Sequence, residues 1–109
     1  MDKAILINKL KEYAPIKENK LVERTVDVKD MTILRLRDSL IGIGKILEED
    51  LEANVYVLSV NAGAADMNSA VVAVHLEDDK LYFLGYAKEG LINQHTADKA
   101  LEKIASKVN

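Results

Sequence analysis

Cysteine is absent from the 109 residues, so neither a disulfide framework nor a thiolate-held metal can organise the fold. Packing alone must supply the stability. Charge of one sign is not in excess either: 15 Lys and Arg against 18 Asp and Glu leave a net charge of −3. That balance provides no broad positive field for a nucleic-acid backbone, which makes nucleic acid an unlikely partner. Long apolar runs are missing as well. The opening MDKAILINKLKEYA is interrupted by charges at positions 2, 3, 9, 11 and 12, which breaks a signal-peptide core, and no later stretch approaches a membrane span. The expected location is the cytosol, without membrane contact.

Catalytic signatures are equally scarce. Ser39, Ser59, Ser69 and Ser106 stand outside any GxSxG context. His75 and His95 are the only histidines, and no HxH, HxxxH or HExxH spacing joins them. No metal site and no cofactor are expected, and an enzyme is the less favoured reading.

What is present is a chain able to fold: 49% hydrophobic and 30% charged residues suit one core with a wet surface, and the length suits one domain over residues 1–109. Residues 2–14 place Leu6, Leu10 and Tyr13 on one helical face, with Asp2 as a cap and Pro15, the only proline, as the stop. Leu21–Val28 alternates as a half-exposed strand. Residues 31–37 fit a helix or a strand equally well. If they form a strand, Lys29 and Asp30 make a hairpin turn and Asp38 or Ser39 caps the next helix; in either case residues 40–53 read as helical, through Leu40, Ile43, Leu47 and Leu51. Gly42 and Gly44 inside that helix imply close approach to the sheet or to another helix. Glu48, Glu49, Asp50 and Glu52 would then give it an acidic C-terminal end, the unfavourable polarity for the helix dipole.

From Val55 the pattern turns to strand. Val55–Val60 and Ala70–Leu76 are almost uniformly apolar, and a polar turn at 77–80 leads into Leu81–Ala87, so a three-stranded meander is expected. The last helix presents Ala97, Ala100, Leu101, Ile104, Ala105 and Val108, with Thr96 as its N-cap. The predicted class is α+β: a two-layer sandwich of an antiparallel sheet, the C-terminal meander plus one or two N-terminal strands, packed against about three helices. With residues 31–37 as a strand, the element order α-β-β-α-β-β-β-α resembles that of roadblock and profilin-like domains.

Candidate binding residues fall in two groups. The loop NAGAADMN offers Asn61, Gly63, Asp66 and Asn68, whose small neighbours allow a ligand to approach the backbone; a plain surface connector is the alternative. Arg24, Arg35 and Arg37 would form a cationic strip if 21–28 and 32–37 paired, with Arg35 and Arg37 able to grip an anion; solvated ion pairs are the alternative. His75 is expected to fill a sheet face and His95 to decorate a helix start. Tyr82 and Tyr86, and Leu91 and Ile92 before the last helix, suit either core or interface. The expected function is a non-catalytic binding or assembly module acting as a homo-oligomer, because the helices can cover only one face of so apolar a sheet. The alternative is a small-molecule-binding protein or small enzyme using the 61–68 loop with Asp66, His75 or His95.

Overall fold

The computed structural model describes residues 3–108. The first helix, α1, spans Lys3–Lys11 and buries Leu6 and Leu10. Its expected cap, Asp2, lies outside the described residues. The helix unwinds where Tyr13 and Ala14 both donate backbone N–H bonds to the Leu10 carbonyl, one residue ahead of Pro15. A 3-10 turn at Glu18–Lys20 then leads into β1, Val22–Asp27.

The ambiguous stretch resolves as helix: α2 covers Ile33–Ile41, and the Thr32 hydroxyl accepts the Arg35 backbone N–H at 3.1 Å. The hairpin option and the arginine strip it would have built therefore do not exist. The helix expected over 40–53 is also wrong beyond Ile41, because Lys45–Asp50 is strand β2. Two glycines within three residues explain the change of state. Gly42 closes α2, and Gly44 passes so close to the next strand that a Cβ there would lie 2.2 Å from the Ser59 carbonyl oxygen. The acidic run Glu48–Asp50 thus belongs to an edge strand and not to a helix terminus.

The meander forms as the sequence predicts: β3 is Val55–Ala62, β4 is Asn68–Glu77 and β5 is Lys80–Tyr86. Helix α3 follows at Thr96–Val108. The sheet is antiparallel throughout, in the order β1-β5-β4-β3-β2. The chain order is α-β-α-β-β-β-β-α, so the element order shared with roadblock and profilin-like domains is not realised.

The architecture is the expected α+β sandwich of three helices on a five-stranded antiparallel sheet. Helices α2 and α3 cover one face, where Leu36, Leu40, Leu101 and Ile104 pack with Tyr56, Leu58, Val60, Val72, Val74 and Phe83. The opposite face is not bare. Leu6 and Leu10 of α1 pack with Val55, Val57, Ala73 and Leu84 at its centre. Lys9 fixes the angle of α1 by reaching Glu48 and Asp50 of β2, each at 2.7 Å, while the Tyr13 hydroxyl donates to Glu48 at 2.8 Å. Among the described residues, no helix is long and apolar enough to cross a membrane.

Candidate functional site

The loop after β3 and the segment after β5 meet at one end of the sheet. Gly63 opens the first loop at φ +80°, and a Cβ there would lie 2.7 Å from Gln94 Oε1 and 2.9 Å from Thr96 Oγ1. Ala65 and Asp66 then take left-handed conformations at φ 53° and 56°, and His95 does the same at φ 54° in the second segment. Non-glycine residues rarely hold such angles unless surrounding bonds enforce them.

Those bonds cross between the two loops. The Ala64 N–H donates to Gln94 Oε1 at 3.1 Å. Asn68 Nδ2 donates to the Lys88 carbonyl at 3.0 Å and to Thr96 Oγ1 at 3.1 Å. From α3, Lys103 Nζ donates to the Asn61 carbonyl and to Asp66 Oδ1, both at 2.7 Å. Glu89 receives the N–H groups of Thr96 at 2.8 Å and Gln94 at 3.1 Å, which caps α3. Burial pushes the Glu89 carboxyl up, but hydrogen bonding from Thr96 and Gln94 outweighs it and holds the group below the usual carboxylate range. Thr96 is therefore the first residue of α3 and not its N-cap; its hydroxyl serves the opposite loop.

With its polar groups so engaged, this end presents apolar side chains to solvent. Met67 is 82% exposed, Ile92 78%, and Leu91 fully so. Of the binding residues expected from sequence, Asn61, Gly63, Asp66 and Asn68 sit together here, but each contributes to the loop scaffold. Arg35 and Arg37 are not brought to it. Arg35 Nη1 donates to the Asp30 carbonyl and Arg37 pairs with Glu49, opposite Tyr56 on β3. The loop begins seven residues further along the chain, at Gly63, roughly 23 Å away at 3.3 Å per residue. Arg24 pairs with Glu102 of α3.

The histidines are likewise separated. His75 lies on β4 opposite Val55, whereas His95 lies before α3 at the other end of the sheet, 3.7 Å from Asp98 Oδ2 through Nδ1. Asp66 is committed to Lys103. Among the described residues, no group of three or more acidic or histidine side chains is placed to hold a metal ion. Gln94 and Lys103 escaped the sequence reading because each acts on a segment distant in the chain, and Glu89 because it caps α3 from seven residues ahead of Thr96, outside the usual N-cap spacing. Compared with family models, curated proteins and solved structures, the chain matches none.

Proposed function

We propose that the protein is a non-catalytic assembly module that self-associates through the paired loops at 63–67 and 88–95. The observation that carries this reading is the exposure of Met67, Leu91 and Ile92 on two loops cross-tied by Asn68 and Gln94. Scattered exposed apolar residues are ordinary on protein surfaces, but three carried by two loops that are tied to each other favour an interface at this end of the sheet. A two-fold partner uses the same surface twice, each residue meeting its complement on the other copy and the reverse, so a small surface suffices to start an interface. Bracing also supports the reading, since loops already held in place lose little entropy on binding.

Sedimentation velocity at micromolar concentration is the test. The wild type is expected to sediment as a dimer and the Leu91→Asp/Ile92→Asp variant as a monomer. Both should melt within a degree or two of each other, because exposed substitutions change stability by only about 0.5 kcal/mol. A wild type that stays monomeric removes self-association. A variant that still dimerises removes the loops as the interface.

A further inference from the structure

Between the Glu18–Lys20 turn, the end of β5 and the start of α3 lies a cleft of about 340 Å³. Pockets that enclose small molecules run from roughly 300 to 1,000 Å³, so the space suits a compact ligand. Its walls carry Lys17 and Lys20 from the turn and Lys88 from the segment after β5. Elsewhere, ion pairs engage Lys3, Lys9, Lys80 and Lys103. Among the described residues, no carboxylate or other side-chain partner holds Lys17, Lys20 or Lys88. Glu89, whose carboxylate accepts the N–H groups of Gln94 and Thr96, and Asp98, 3.7 Å from His95, also line the cleft. Three lysines against two carboxylates leave it a surplus of one positive charge.

A second observation comes from Tyr86, which also lines the cleft. It is only 4% exposed, and its hydroxyl has no hydrogen-bond partner among the described residues. The hydroxyl is not sealed from solvent, so it is a free donor on the wall of the cleft. Arginine forks suit carboxylates, and all three arginines are occupied elsewhere. Three lysine point charges suit a phosphate monoester, which carries −1.5 to −2 near neutral pH.

We propose that this cleft binds a small phosphate monoester, with Lys17, Lys20 and Lys88 neutralising the phosphate and Tyr86 donating a hydrogen bond to the ligand. The cleft shares Lys88 and Leu91 with the 88–95 segment proposed for self-association, but all the groups that would hold the phosphate belong to one chain.

The test is an NMR titration of isotope-labelled protein with glycerol 3-phosphate, ribose 5-phosphate and AMP, alongside glycerol, ribose and adenosine. Salt at about 0.15 M screens loose attraction to surface charge. At least one ester is expected to shift the amides of Lys17, Lys20 and Lys88 saturably, with a Kd below about 1 mM. The Lys17→Met/Lys20→Met variant, its remaining spectrum superimposable, should bind about tenfold more weakly, and Tyr86→Phe several-fold more weakly. The proposal is overturned if no ester shifts those amides, if the parent alcohol binds equally, or if the lysine variant binds undiminished. Binding to phosphatidate-containing vesicles but to no soluble ester overturns the assignment to a small molecule.

Discussion

His75 is 8% exposed, and among the described residues neither ring nitrogen finds a hydrogen-bond partner; a Glu77 carboxylate oxygen is 3.8 Å away, too far for a hydrogen bond. Its ring centroid lies 6.1 Å from that of Tyr82. Desolvating polar atoms without replacing their bonds costs about 1 to 3 kcal/mol. His75→Phe keeps the ring and removes both nitrogens, so it should raise stability by about 1 kcal/mol in urea unfolding at neutral pH. A loss of stability would show that the imidazole has a bonding role. That His75 fills a sheet face was legible from its place in AVVAVHL. The backbone contact that requires glycine at 44 was not, because the Ser59 carbonyl comes from another strand.

At the scale of elements, α1 is held by two kinds of force. Leu6 and Leu10 bind it to the sheet without direction, and Lys9 sets its orientation through Glu48 and Asp50. Hydrogen bonds from Lys9 hold the Glu48 and Asp50 carboxyls below their ordinary range, and the bonds to Asp50 and then Glu48 raise Lys9 above its own. A depressed acid stabilises the fold above its unfolded value and loses that contribution as pH falls. A raised base stabilises it below its unfolded value and loses that contribution as pH rises. Lys9→Met should therefore cost about 1 kcal/mol, the upper end for solvent-touched ion pairs, uniformly between about pH 5 and 10. The difference from wild type should shrink as acidification below about pH 4 protonates Glu48 and Asp50. An unchanged difference at pH 3 would mean that the lysine stem, and not its charge, stabilises the helix.

The same elements show what sequence could reveal. The meander was legible because its burial is nearly complete, which leaves plain apolar runs, and α3 because its buried and exposed residues alternate at clean helical spacing. Strand β2 was not. Ile43, Leu47 and Leu51 continue the spacing of Leu36 and Leu40, and an edge strand with a register shift between Ile46 and Glu48 loses clean alternation. Helix periodicity thus ran on, in the sequence, across two glycines that end it in space. At the candidate site, the 61–68 loop was legible from its small and polar residues. The partners that fold it, Gln94, Thr96 and Lys103, were not, because they come from the far side of two further strands.

For the whole molecule, the apolar stretch from Val55 to Tyr86 is hidden by its own helices, with α1 taking the face that sequence reasoning left uncovered. The sheet faces are therefore not open for self-association, which is why the proposed interface is placed on the loops. The position of β1 has a separate consequence, for the order of assembly. Neighbours β2 to β5 are consecutive in the chain and can zip as hairpins, but β1 bonds only to β5, with Val22 opposite Gly85. Bringing those two strands together closes a long loop, whose entropy must be lost before any pairing rewards it. In pulse-labelled hydrogen exchange during refolding, amides of β1 should gain protection after those of β3 and β4; simultaneous protection would contradict this order. A nascent chain would then carry its first strand unpaired until the last one has left the ribosome.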